Sequence, residues 1–528
     1  MSVPPEEGLI RAWASALALV VLSLPICSPD LFWHLCAGRW IVAHLSVPVS
    51  DSFSFTASGV PWVDFEWALQ PLWYGVHAAA GLWGLWALKG LLLSAAFAPV
   101  DGLLRDARAS GTARAGALGF WLAAALAQAD LRADLISALF FAVLLRRLCR
   151  GRASFLFGFL LFAAWANLHA GFPLGFMLYA LTALSARLEK RAAPAGLAAE
   201  AAGAAFGVLL NPYGLGLAGA LSAHASGPMA RFVMEWGPPS AHRAFQAPLL
   251  AAMAVALGAA SAAGRRALSP AGLSALVLLA ACAVSARFGI YLAAAGAAFV
   301  FTAFPRPRAG AVACGLAVLS AGLIVPLRQA RPGAAFSDIY VARRAADFIA
   351  RERGALGGLR LFNQYEWGGY LGWALGPGGR VYGDGRYLFH GQLGRTQDAL
   401  ASPESFAAFA RAEDLEGFLI RDYPRTFPST RVYPDGTARA FARPWFVSFL
   451  PRERWALVWY DGQALVFVDR AKVPSKWLGS HEYRWRRPGD AAALADARSR
   501  GEIPEAALAA EDSRHAFQLY STIPRSRR

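Results

Sequence analysis

Five short stretches of this chain bring ionisable side chains to the points where apolar runs end. They are SPDLFWHL with Asp30 and His34, AQADLRADL with Asp130 and Asp134, WANLHAGF with His169, MEWGPPS with Glu235, and SARFG with Arg287. Carboxylates so placed can take a proton from an attacking group or hold a divalent cation, and an arginine or imidazole can neutralise a departing phosphate. Charge inside lipid is expensive, so the places where it collects are informative. Each residue also has a plainer role open to it. Asp30 can cap the helix that follows. Asp130 and Asp134 can pair with Arg132 as loop acids, His169 and Asn167 suit a hydrogen-bonded turn, and Arg287 suits an anchor to lipid phosphate. The argument for chemistry is the face they share, because all of them fall at the same ends of the apolar runs.

Those runs have to position them. The chain has 528 residues, 56% hydrophobic and 16% charged, with a mean hydropathy of +0.38, a composition that belongs to a polytopic membrane protein. Apolar runs lie at 13–27, 82–101, 115–129, 133–147, 153–168, 171–187, 193–210, 247–263, 269–285, 287–304 and 309–326. Loops rich in arginine, such as those with Arg105, Arg108 and Arg114 or with Arg146, Arg147, Arg150 and Arg152, alternate with loops that have few. The net charge of +16 therefore reports membrane orientation, with no nucleic-acid partner implied. The positive-inside rule puts the N-terminus in the cytoplasm and, after an odd number of spans, the C-terminal region outside. The five cysteines form no CxxC pair, which excludes a zinc pattern or a disulfide framework, and only Cys27 and Cys36 could pair outside. The first run is expected to stay as a transmembrane helix, since Ile26 stands where a lipoprotein cleavage box needs a small residue.

Residues 1–330 thus form a transmembrane domain with two long outer segments, 28–81 and 211–246. The first is expected to open with an interfacial helix near 31–45, with Leu31, Leu35, Val42 and Leu45 on one face, and to continue as an ordered loop. Residues 336–528 have the composition of a small α/β domain. YVARRAADFIARERG has a helical period ending at Gly354, LRLFN and GRVYGDG suit short strands, FAAFARAEDLEGFLI suits helix then strand, and WALVWYDGQALVFVDR suits a hairpin turning at Asp461-Gly462.

Taken in order and placement, these motifs resemble the GT-C membrane glycosyltransferases, above all the catalytic subunit of oligosaccharyltransferase. DLFWHLCAGRWI is similar to that family's acid-aromatic opening of the first outer loop, which puts Asp30 on its first catalytic acid. ADLRAD stands where the family has a DxD motif and implies that role for Asp130 or Asp134, although the spacing here is Asp-x-x-x-Asp. MEWGPPS resembles the SxSE motif, with Glu235 as its acid. NQYEWGGYLGWALGPGGRVYGDGR resembles the WWDYG region, which implies acceptor binding by Tyr365, Glu366, Trp367, Gly368, Asp384 and Arg386. Over nearly its whole length the chain is similar to a group of bacterial multispanning proteins that have DLFWHL, FSFT, W-N-LH-GF, NPYG, EW-PPS and a final GGYL…DGR domain.

The resemblance implies a GT-C-like bundle of about 11 transmembrane helices in a bacterial inner membrane, with the α/β domain extracytoplasmic. It implies sugar transfer from a polyprenyl-phosphate donor to a glycan or protein acceptor at the outer face. Asp30, Asp130, Asp134 and Glu235 would be catalytic, Arg287, His34 and His169 would bind the donor phosphate, and Mg2+ or Mn2+ would sit on Asp30, Asp130 and Glu235. Another reading is a non-catalytic membrane protein with an outer glycan- or protein-binding domain. A lipid or solute transporter fits less well, because the middles of the runs are almost free of ionisable groups and no repeated halves occur.

Overall fold

The computed structural model describes residues 5–225, 234–240, 243, 246–329 and 334–521. The chain is mostly helical, with a small sheet region near its C-terminus. It divides into two units: residues 1–48 with 63–339, and residues 49–62 with 340–528. The segment 49–62, expected to stay with the transmembrane domain as part of its outer loop, therefore packs into the second unit.

In the first unit each apolar run lies in a helix. The first eight helices are α1 (Pro5–Ser23), α2 (Leu31–His44), α3 (Leu69–Asp106), α4 (Gly111–Ala125), α5 (Asp134–Cys149), α6 (Phe155–Leu168), α7 (Pro173–Leu188) and α8 (Leu197–Leu209). Helices Ala247–Ala263, Pro270–Val284, Gly289–Ala303 and Ala309–Gly322 follow. Serine hydroxyls start three of them: Ser110, Ser154 and Ser269 accept from the N–H groups of Ala113, Phe157 and Gly272. Four helical segments are long and apolar enough to cross a membrane, Leu69–Asp106, Ala247–Leu268, Ala286–Ala303 and Ala309–Arg328. Others are apolar but shorter, among them α6, α7 and α8. Glycines let α6 and α8 meet backbone to backbone, for a Cβ on Gly203 would stand 2.2 Å from the Phe155 carbonyl oxygen.

Two expectations change in detail. α3 begins thirteen residues before its apolar run (82 − 69), and a break at Gly81, with φ 59°, separates the added segment from the run. α2 forms where an interfacial helix was expected, but only Leu31 and Leu35 of its apolar stripe are buried. Val42 is 48% and Leu45 91% exposed, and Leu45 ends the helix in the left-handed region.

The second unit centres on a four-stranded sheet in the order β1-β2-β6-β5, formed by β1 (Leu361–Asn363), β2 (Gly417–Arg421), β5 (Trp455–Tyr460) and β6 (Ala464–Asp469). β1 runs parallel to β2 and the other pairs are antiparallel. The β5–β6 hairpin turns at Asp461-Gly462 as its sequence predicts, with Asp461 Oδ1 accepting from the N–H groups of Gln463 and Ala464. The helix from Arg343 ends at Arg351, and Gly354 lies inside a further short helix, Arg353–Leu356. GRVYGDG makes no strand of its own: Val381 forms an isolated parallel bridge with Ser54. A second antiparallel pair, β3 (Thr426–Val432) with β4 (Ala438–Pro444), was not anticipated. The core is aromatic, with Phe362, Phe406, Phe418, Trp455 and Phe467 buried together.

Candidate active site

In the first unit the loops at one end of the helices carry a cluster of opposite charges. Asp30 is the residue before α2 but does not cap it. Its backbone is helical (φ −67°, ψ −24°) and its side chain makes no cap hydrogen bond. One carboxylate oxygen instead accepts from Trp33 Nε1 at 3.2 Å, and the other lies 3.5 Å from Arg132 Nη2. The same guanidinium grips Glu235 in two places, through Nη2 to Oε1 at 2.8 Å and through Nη1 to Oε2. Burial pushes the Asp30 carboxyl up against the pull of Arg132. Burial also acts to raise Glu235, but Arg132 and Arg287 outweigh it and hold this group below its ordinary range.

Asp134 opens α5 and faces Arg287 at 3.4 Å and His169 Nε2 at 2.9 Å. A short relay fixes that imidazole. The Asp134 carboxylate can only accept, so Nε2 carries a proton, and in the neutral ring Nδ1 accepts from Ser137 Oγ at 2.6 Å. Trp165 Nε1 donates to the same Ser137 oxygen at 2.6 Å. With both ring nitrogens engaged, His169 orients Asp134 and has none left for a phosphate. Ser137 is fully buried, so this Ser-His-Asp sequence is a brace with no exposed nucleophile. Arg287 lies 4.6 Å over the Trp236 ring, and its loop is tied to the Glu235 turn by Ala286 N–H to Gly237 O. Buried Gln128 holds the same loop, donating to Ala286 O and accepting from Ile290 N.

His34, expected to bind phosphate, is packed among rings. Trp33 stacks on it at 3.6 Å and Trp73 meets it edge-on at 5.0 Å. Burial holds it well below the usual histidine range, which disfavours a positive charge on this ring. Asp130 also departs from expectation. Its two oxygens accept the backbone N–H groups of Cys27 and Leu131 at 2.8 and 2.7 Å. Of the DLRAD stretch, Arg132 makes the contact with Asp30. Among the described residues no three His, Cys, Asp or Glu side chains converge as a metal site, and a guanidinium occupies the place between Asp30 and Glu235 where an ion was expected.

The sequence reading missed Glu66, in VDFEW, whose carboxyl is pushed well above its ordinary range by burial and then by Asp64 and Asp134, with Arg287 opposing. The motifs around it interlock. Trp67 Nε1 donates to Asn167 Oδ1 at 2.8 Å, and the Asp64 N–H donates to the hydroxyl of Tyr213 in NPYG at 3.1 Å. The acid beside tryptophan in an outer segment was the available signal. A further feature is an apolar cavity of about 330 Å³ walled by Gly119, Phe120, Ala252, Val300 and Leu316. Its lining continues through Phe301 to Phe304 and Pro307, at the end of helix Gly289–Ala303 away from Arg287.

The remaining candidates belong to the second unit, and much of their chemistry is internal. Arg386 forms a two-point pair with Asp384 at 2.8 and 2.9 Å and meets Asp51 at 2.7 Å. These side chains are at most 4% exposed, so Asp384 and Arg386 join segment 49–62 to the domain and present nothing to an acceptor. Trp367 is 1% exposed, and Gly368 is required by close approach, since a Cβ there would stand 1.8 Å from Gly383 O. Tyr365 donates to Gly385 O at 2.8 Å, while Glu366 is exposed. No protein-family model and no curated protein matches this sequence.

Proposed function

We propose that this protein is a membrane glycosyltransferase of the GT-C type that uses a polyprenyl-phosphate-linked sugar. In this reading all eleven apolar runs cross a bacterial inner membrane, the N-terminus is cytoplasmic, and residues 340–528 and the charged loops are extracytoplasmic. The observation that carries it is the convergence of Asp30, Asp134 and Glu235 with Arg132 and Arg287 at one end of an apolar helical unit. Buried charge of this density is costly unless it does chemistry or binds a charged ligand. The motif resemblance supports the sugar class.

The acceptor nucleophile attacks the anomeric carbon as the bond from that carbon to the phosphate oxygen breaks, and the phosphate keeps the electron pair. Asp30, partly open to solvent with its side chain 29% exposed, takes the acceptor proton. Arg287 and Arg132 neutralise the phosphate. The test compares cells with and without the gene: loss should accumulate a polyprenyl-linked sugar and deplete one envelope glycan. Asp30→Asn should fail to restore it, with turnover lowered at least the ~10²-fold typical of lost general-base assistance. Unchanged lipid-linked sugars and glycans in the deletion, or full rescue by Asp30→Asn, would overturn the assignment.

A further inference from the structure

The acids that a divalent ion would need already share a cation supplied by the chain. Arg132 holds Glu235 through both terminal nitrogens and reaches Asp30 through one of them. Asp130, the third acid expected at such an ion, is engaged with the backbone of Cys27 and Leu131. Asp134 is matched in the same way by Arg287, whose face is covered by Trp236.

A guanidinium differs from Mg2+ or Mn2+ in ways that matter here. Its charge is fixed, since it does not deprotonate in proteins, and its planar fork matches a carboxylate at two points. It has five N–H donors, more than the contacts to Glu235 and Asp30 use, so donors remain for a phosphate oxygen. Bringing a divalent cation to the same two carboxylates would set like charges side by side.

We infer that Arg132 takes the charge-neutralising place of a divalent ion between Asp30 and Glu235, so that the site works without a bound metal. As a statement about catalysis this rests on the glycosyltransferase reading; as a statement about ion binding it stands apart, and the experiment separates the two. Purified full-length protein is titrated with Mn2+ and free ion is read by electron paramagnetic resonance, for wild type, Arg132→Gln and Arg132→Lys. Wild type and Arg132→Lys should leave Mn2+ free at concentrations where Arg132→Gln, with its two acids uncompensated, binds about one ion per chain. Transfer by wild type should be unchanged by a chelator. A wild-type protein that binds one Mn2+, and loses it with Glu235→Gln, would overturn the inference. So would transfer abolished by chelator and restored by Mn2+, or folded Arg132→Gln protein that binds none. If no variant or wild type transfers sugar at all, the function fails while the Mn2+ titration still decides the role of Arg132.

Discussion

Glu66 shows how one carboxyl can be set apart from its neighbours. Asp30, Asp134 and Glu235 each face an arginine, whereas Glu66 makes no side-chain hydrogen bond among the described residues. Its backbone is nonetheless pinned: the N–H donates to Asp64 Oδ1 at 3.2 Å and the carbonyl accepts from Leu69 and Gln70. Burial, then repulsion from Asp64 and Asp134, push its carboxyl well above the ordinary range, with Arg287 opposing. A carboxyl whose folded value is raised favours the folded state fully below its unfolded value, and that contribution is lost as pH rises through the folded value. Glu66→Gln is neutral throughout and removes the loss. The stability of the variant relative to wild type should therefore grow as pH rises above about 4, measured by thermal unfolding in detergent. Parallel curves would show that Glu66 is ionised without penalty. Little of this was legible in the sequence, because VDFEW falls in a Ser-, Pro- and Gly-rich segment with no periodicity. Arg132 was visible only as a neighbour of two acids, since nothing in DLRAD states which of its side chains turns toward Asp30.

At the scale of elements, the turn between α6 and α7 is built around one hydroxyl. Ser137 on α5 accepts from Trp165 and serves His169, and the turn passes so close that a Cβ on Gly171 would stand 2.2 Å from Ser137 Oγ. Ser137→Ala leaves the buried Trp165 N–H without an acceptor and should cost about 1–3 kcal/mol. Gly171→Ala should cost a similar amount, about 1–3 kcal/mol, by overpacking. Both are read as lowered unfolding midpoints, and midpoints within error of wild type would refute the brace. In the glycosyltransferase reading, serine→alanine should in addition reduce turnover, because the imidazole that orients Asp134 loses its Nδ1 partner. Helix positions were legible from hydropathy, since burial in an apolar medium demands it. Helix ends were less so. The first part of α3 fell in the outer segment 28–81, before the apolar run at 82–101, and Pro71 sits in its first turn, where the missing N–H does no harm. The β3–β4 pair was passed over although Asp435-Gly436 is a turn signal. Its strands are largely exposed, with few large apolar side chains to mark a half-buried strand.

At the scale of the molecule, the first unit has two chemically different ends. At one lie Asp30, Arg132, Asp134, Glu235 and Arg287. At the other, ion pairs link successive basic loops: Arg114 with Asp101, Arg150 with Asp106, and Arg147 with buried Glu200. Arginine-rich loops gathered at one end are the pattern that membrane insertion enforces. Length sets the difficulty, because α8 with 13 residues extends ~20 Å at 1.5 Å per residue, short of the ~30 Å of bilayer hydrocarbon. Its glycine-lined contact with α6 gives a way around this, since two short helices packed closely can share a locally thinned bilayer. If all eleven runs cross, a periplasm-active phosphatase fused after Ser337 should be active and a cytoplasm-dependent fluorescent protein there dark, while fusions after Arg152 and Arg191 should give the reverse. A phosphatase silent after Ser337 but active after Arg191 would invert the unit and place the charged cluster where no polyprenyl-linked sugar on the outer leaflet could reach it. Activity of both reporters on the same side at Arg152 and Ser337 would instead mean that an even number of helices crosses between them. The short helices α6, α7 and α8 would then be the first to reassign as lying within one leaflet, because they have the least apolar length with which to span.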